Sequence, residues 1–144
     1  MDHIWGLWLV LHNKVSLYNV CIVPIALYAS ETWTMTQTDN NRLDAFDQWC
    51  LRRLSNVRWT DHETNVKIRR RTSQGPLSSA VTRRRLCLFG RVARLDRLRD
   101  TSRVLRAKIP RDWKRPKGRP RSTWVSTVEK DLSPVNFGIF TALK

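Results

Sequence analysis

The chain has 144 residues, of which 41% are hydrophobic and seven are tryptophans, and its formal net charge at pH 7 is +15. This apolar content is too high for a disordered polymer, and the length fits one domain, or a small domain with a tail. Residues 67–121 hold 20 of the 27 basic residues but only 3 of the 12 acidic ones. An excess so clustered favours a polyanionic partner such as RNA or DNA, whereas the alternative is a solvated basic surface.

The three cysteines predict neither a disulfide framework nor a metal site. Cys21, Cys50 and Cys87 lie far apart, and none occurs in a CxxC or CxxH spacing. Such cysteines are typical of a reduced, intracellular protein, so we expect no metal and no cofactor.

No membrane segment is expected either. The apolar run Ile4 to Leu11 is only about eight residues long, well short of the roughly 20 needed to span a bilayer. A second apolar run, from Val15 to Ala29, contains Asn19 and Pro24. We interpret it as a buried helix that is kinked or interrupted at the proline.

The next element is predicted to be an amphipathic helix of about eighteen residues that begins at an N-cap on Thr38, with Asp39 in its first turn. Asp44 and Asp47 lie on one face of this helix close to basic residues, which suggests ordinary pairing at the surface. A short element with Asp61 as its cap follows, and residues 73–79 are turn-like. The apolar face of the long helix is formed by Leu43, Phe46, Cys50, Leu54 and Val57, widened by Trp49 and Leu51.

A basic helix is predicted from Ser79 to about Leu95. On a helical wheel its apolar residues Leu86, Phe89, Val92 and Ala93 lie opposite a basic arc, and Arg85 falls outside that arc. The arc consists of Arg83, Arg84, Arg91 and Arg94.

The segment Arg115 to Arg121, RPKGRPR, combines prolines, a glycine and basic side chains, and a helix capped near Thr123 follows it. The segment is similar to the AT-hook, a short peptide that enters the minor groove of DNA, but a rigid connector that also touches phosphates is the alternative. The basic run is also compatible with nuclear import, so we expect a nuclear location. Lys114, Arg115, Lys117, Arg119 and Arg121 are candidate phosphate contacts.

The sequence offers no catalytic constellation. It contains no adjacent Asp-Asp pair, no GxxxxGK[ST] loop, no HExxH and no GxSxG serine. Two-metal polymerases and nucleases need clustered carboxylates, and the basic half has only the scattered Asp96, Asp100 and Asp112. We therefore expect no enzymatic activity from this chain.

Four blocks in order carry a resemblance to a known family. They are LYNVCIVPIALYASETWTMT, RLDAFDQWCLRRL, RRRTSQGPLSSAVTRRRLCLFGRVARL and RPKGRPRSTWVSTVEKDL. Together they resemble the C-terminal, thumb and post-thumb region of a LINE-type (non-LTR) retrotransposon reverse transcriptase of the RTE-like or jockey-like kind. The resemblance spans residues 14–132, and Gly90-Arg91 stands where the family usually has Gly-His.

The helical spacings, with no strand-like alternation, predict a mainly α fold. The resemblance implies that a small thumb-like helical bundle precedes the basic helix, a Pro/Gly-rich connector and a short C-terminal helix. The expected division of the chain is 1–13 as an apolar extension, 14–72 as the thumb-like region, 73–132 as the basic region and 133–144 as a tail. The family's catalytic aspartates are expected upstream, with the palm domain as a possible partner. The oligomeric state is left open.

The expected function is that of a non-catalytic fragment that contacts the phosphate backbone of RNA, DNA or an RNA–DNA hybrid. Two alternatives remain open at this point: a retroelement relic without function, and a protein-interaction module without a nucleic-acid role.

Overall fold

The structure, a computed structural model, describes residues 9–96, 98–107, 112–114, 117–118, 121–136 and 138–142. Helices predominate within these residues and no strand occurs among them, so the mainly α fold class is confirmed. The chain forms two compact units: unit 1 comprises Met1–Ser30 and Met35–Val81, and unit 2 comprises Glu31–Thr34 and Thr82–Lys144. The expected division into blocks at residues 14, 73 and 133 stays a prediction.

Unit 1 begins with an interrupted helix. Helix α1 (Leu11–Leu17) continues through one π-helical stretch (Tyr18–Ile22) into α2 (Val23–Ala26), which contains Pro24. Proline has no N–H to donate and its ring crowds the carbonyl one turn earlier, and a wider turn relieves both problems. The wider turn also shifts the helical register.

The register shift changes which side chains are buried. Tyr18 and Leu27 are buried, whereas Ile25 is 77% exposed. An uninterrupted α-helical period from Tyr18 would place Ile25 on the buried face, so the expectation of a buried helix from Val15 to Ala29 is wrong at this position.

Helix α3 (Gln37–Leu54) has the eighteen residues that the periodicity indicates. Its N-cap is Thr36 rather than Thr38: the Thr36 Oγ1 accepts from the Asp39 backbone N–H, and the Asp39 carboxylate accepts from the Thr36 backbone N–H. This reciprocal capping box satisfies two backbone donors, which makes Thr36 the better start. The two Thr36 hydrogen bonds also lower the pKa of Asp39.

The carboxylates of α3 do not form surface pairs, so that interpretation is wrong. Asp47 is 1% exposed, and its carboxylate accepts from the Tyr18 hydroxyl at 2.7 Å and from the Arg69 guanidinium at 2.7 Å. Asp44 accepts from the backbone N–H and the hydroxyl of Ser78, in the first turn of the next long helix. Burial, followed by the hydrogen bond to Asp47, raises the pKa of Tyr18 well above its ordinary value, so the phenol stays protonated and keeps donating.

The core of unit 1 packs α3 against the interrupted helix and against α4 (Asn65–Thr72). Its buried members are Tyr18, Cys50, Leu51, Leu54 and Ile68. Phe46 and Trp49 are 42% and 53% exposed, so the buried face is rotated from the predicted one toward Asp47 and Leu51. Burial also raises the pKa of the Cys50 thiol to about 11.

The start of α4 also differs from expectation. Its N-cap is Thr64, whose hydroxyl accepts from the Lys67 backbone N–H. Asp61 instead accepts from the backbone N–H of Arg58 and so caps a separate 3-10 turn, Trp59–Asp61. Asp61 and Thr64 are both exposed, and both residue types cap helices, so the sequence pattern alone does not show which of them caps α4.

Unit 2 comprises residues 82–93 of α5 (Leu77–Ala93) together with α6 (Asp100–Arg106), α7 (Trp124–Leu132) and α8 (Ile139–Ala142). Helix α7 begins at the N-cap Thr123, which forms a capping box with Ser126. The core consists of Phe89, Val128 and Ile139. None of the helices in the described ranges combines the length and the hydropathy that a membrane crossing requires.

The short segment Glu31–Thr34 belongs to unit 2, and two of its carbonyls accept part-buried hydrogen bonds there. The Arg85 guanidinium donates to the Trp33 carbonyl at 2.8 Å, and the Trp124 indole N–H donates to the Glu31 carbonyl at 2.8 Å. Polar donors that are shielded from water need acceptors. These two acceptors precede their donors in the sequence by 52 and 93 residues.

Candidate nucleic-acid interface

The basic residues of α5 follow the helical repeat. Arg83 and Arg91 are exposed, Arg84 is half-buried, and Arg85 is 4% exposed. Residues three and four apart lie on the same face of a helix, so Arg83, Arg84 and Arg91 line one side of α5 over two turns. The exclusion of Arg85 from the basic arc agrees with its burial.

Three of these arginines line one open cavity of about 340 Å³ in unit 2. Its other lining residues are Glu31, Cys87 and Leu88, so the walls carry three guanidinium groups and one carboxylate. Arg83 and Arg91 form no ion pair with any carboxylate in the part of the chain that the structure describes. A cavity of this size with excess positive charge suits an anionic group such as a phosphate. We call it the basic cavity.

Arg85 has a structural role. Its Nε lies 2.6 Å from the Asp131 carboxylate of α7, and both side chains are largely shielded from water. A buried guanidinium requires a charged partner and further acceptors, and Asp131 and the Trp33 carbonyl supply them. Arg85 therefore ties α5 to α7 and is not available to a ligand.

The Arg94 guanidinium lies against Gly90. A Cβ placed on Gly90 would be 3.2 Å from the Arg94 Nη1, so the missing side chain at position 90 provides room for that guanidinium. The group that approaches Gly90 is thus the side chain of the residue that directly follows α5. Arg94 itself is exposed one turn beyond the basic cavity.

Replacing Gly90 by alanine should raise the stability of unit 2 by about 0.5 to 1 kcal/mol, because alanine is the better helix former at an interior position. The three nearest atoms belong to the end of the flexible, exposed Arg94 side chain, which can move aside by the few tenths of an ångström required. Urea unfolding followed by circular dichroism measures the change. A loss of stability in Gly90→Ala would show that Arg94 is held rigidly against the helix.

None of the described basic residues at positions 114–121 is among the residues that line the basic cavity. Lys114, Lys117 and Arg121 are each exposed, and among the described contacts none brings them to the basic cavity. Arg115 and Arg119 lie outside the described residues. Gly118 has φ +124°, a conformation that other residues rarely adopt, so its glycine is required by the backbone. A phosphate-contacting role for these five connector positions stays a prediction.

Sequence reasoning missed three of the lining residues. Glu31 is distant in the chain from α5, and its presence depends on the segment Glu31–Thr34 being part of unit 2. Cys87 and Leu88 are one turn from Arg83, Arg84 and Arg91, so their helical spacing was the signal that could have identified them. Leu88, four residues after Arg84, lies in the wall of the cavity.

With three guanidinium groups and one carboxylate in the same lining, the basic cavity can bind an anion. Within the described part of the chain, no group of three histidine, cysteine or acidic residues is placed to hold a metal ion. Comparisons with protein-family models, with curated proteins and with solved structures found no match.

Proposed function

We propose that the chain is a non-catalytic nucleic-acid-binding segment that contacts the sugar–phosphate backbone of RNA, DNA or an RNA–DNA hybrid. The observation that carries this proposal is the basic cavity on α5, where Arg83, Arg84 and Arg91 converge and one glutamate opposes them. We further propose, on the four sequence blocks, that the chain derives from the C-terminal region of a non-LTR retrotransposon reverse transcriptase. Its partner would then include the palm domain of such an enzyme.

Binding through this cavity would position the ligand without reading its sequence. Guanidinium groups donate paired hydrogen bonds to phosphate oxygens, and every nucleotide presents the same phosphate. Arg94, which directly follows α5 and is exposed, adds a positive charge beyond the cavity. The net charge of +15 adds a long-range attraction that raises the rate of encounter.

A second candidate function rests on unit 1. Val20, Ile25 and Tyr28 are 72%, 77% and 81% exposed on or just after the interrupted helix. Three large apolar side chains exposed within nine residues of sequence favour contact with another protein. This role is compatible with nucleic-acid binding by unit 2, because the two surfaces belong to different units.

A salt titration tests the proposal. We expect the logarithm of the binding constant for a single- or double-stranded oligonucleotide to fall linearly with the logarithm of the salt concentration, with a slope of about −2 to −4, because several phosphates release counterions. Fluorescence anisotropy with a labelled oligonucleotide measures the slope. A slope near zero, or no binding at low salt, would remove the proposal.

A further inference from the structure

A second cavity of about 600 Å³ lies beside the basic cavity in unit 2, and its walls are mainly apolar. Leu88 belongs to the walls of both cavities. Leu88 is four residues after Arg84 and three before Arg91, so it lies between their side chains on α5. The lining comprises Thr32, Leu88, Val92, Asp100, Thr101, Val104, Leu105, Trp124 and Val125. We call it the apolar cavity.

Trp124 is held in a fixed position in this wall. Its indole N–H is already occupied by the Glu31 carbonyl at 2.8 Å, and its side chain packs against the core of Phe89 and Val128. The part of the ring that lines the cavity therefore offers apolar surface, and a ligand need not order it. Asp100 and Thr101 at the start of α6 add a few polar atoms to the same lining.

We propose that the apolar cavity receives an unpaired base of a single-stranded nucleic acid while the adjacent phosphate lies in the basic cavity. This inference rests on the proposed function and narrows it from any polyanion to a single strand. In a duplex the bases are stacked inside and paired, so only a single strand, or an unpaired end, can present a phosphate and a free base together.

Charge decides between this occupant and an apolar peptide. A nucleotide carries an anionic group next to a flat aromatic group, and the two cavities on either side of Leu88 have the matching characters. An apolar peptide or a second copy of this strongly basic chain would bring no negative charge to Arg83 and Arg91, which form no ion pair among the described residues. Mainly apolar walls with a few polar groups at the edge are typical of sites for small aromatic groups.

The experiment compares two single-stranded oligonucleotides of equal length and equal phosphate count, one with normal bases and one in which every base is missing. We expect the abasic strand to bind about tenfold more weakly, because the contact between a base and an aromatic side chain is lost. Both strands should keep the same steep salt dependence, since their phosphates are identical.

A pair of matched variants localises the effect. Val104 lines the apolar cavity and is 76% exposed, and Val66 in unit 1 is 68% exposed on α4, so either can be changed to lysine without disturbing a core. Val104→Lys should reduce the tenfold preference for the strand with bases to near onefold. Val66→Lys adds the same charge and should leave the preference unchanged.

The outcomes separate the two proposals. Equal binding of the two strands with a steep salt slope overturns the base-binding inference and leaves the proposed function intact. The absence of a salt slope overturns both. Concentration-dependent self-association that Val104→Lys abolishes would identify a second copy as the occupant and would also overturn the inference, as would equal preferences in the Val104→Lys and Val66→Lys variants.

Discussion

Replacing Arg83 and Arg91 together by glutamate is expected to lower oligonucleotide affinity by about 10- to 100-fold at low salt and to reduce the salt slope by about 1.5 to 2 units, because two phosphate contacts are lost. Both arginines line the basic cavity, are exposed and have no carboxylate partner among the described residues. Their removal should therefore leave the fold intact. Fluorescence anisotropy at a series of salt concentrations measures both quantities.

The control is a matched pair in unit 1. Arg42 of α3 and Arg70 of α4 are also exposed, and the double variant Arg42→Glu/Arg70→Glu changes the net charge by the same amount. We expect this variant to weaken binding only slightly, through the long-range field. Equal losses in the two double variants would mean that net charge alone controls binding, and the basic cavity would lose its assigned role.

Replacing Asp47 by alanine is expected to destabilise unit 1 by about 3 kcal/mol, the largest effect on folding that we predict for a single substitution. The change leaves the Tyr18 hydroxyl without its acceptor in a buried site and removes the charge that faces Arg69. Arg69 is 21% exposed and also donates to the Gly75 carbonyl. Both reduce the free-energy cost of leaving its charge without Asp47, so the expected loss lies at the lower end of the range for a broken buried ion pair. Urea unfolding measures the loss.

Two milder variants test the cause. Asp47→Asn keeps an oxygen that can accept from Tyr18 but removes the charge, and Tyr18→Phe removes only the hydroxyl, at a cost of about 1 kcal/mol. The expected order of destabilisation is Tyr18→Phe, then Asp47→Asn, then Asp47→Ala. If Asp47→Ala unfolded at the same urea concentration as the unsubstituted chain, the buried network would not stabilise unit 1.

Local patterns were sufficient for the helices themselves. The eighteen-residue length of α3 and the presence of α5 and α7 follow from hydrophobic spacing. The position of Thr36 as the N-cap also depends on a local pattern, because Thr36 and Asp39 have the spacing of a capping box and Thr38 does not. Sequence reasoning could have found this start had it applied the box rather than the nearest threonine.

The buried charges could not be found in this way, because their partners are remote in sequence. Asp47 meets Tyr18 from 29 positions earlier and Arg69 from 22 positions later, and Arg85 meets Asp131 from 46 positions later. A helical wheel identifies which side a charged residue occupies but contains no information about what packs there. The grouping of Arg83, Arg84 and Arg91 was predictable because helix geometry alone brings them together, whereas the contribution of Glu31 was not.

The two carbonyls that Glu31 and Trp33 provide have a consequence for how this protein can be divided. A polypeptide beginning at Ser73 would contain every helix of the basic half and yet lack the acceptors for the Trp124 indole and for one arm of Arg85. During synthesis on the ribosome, Glu31 and Trp33 are made before α3 and α4, and their carbonyls bond to water until the helices of unit 2 have been made. Folding of unit 2 therefore depends on the four residues Glu31–Thr34, which precede most of unit 1 in the sequence.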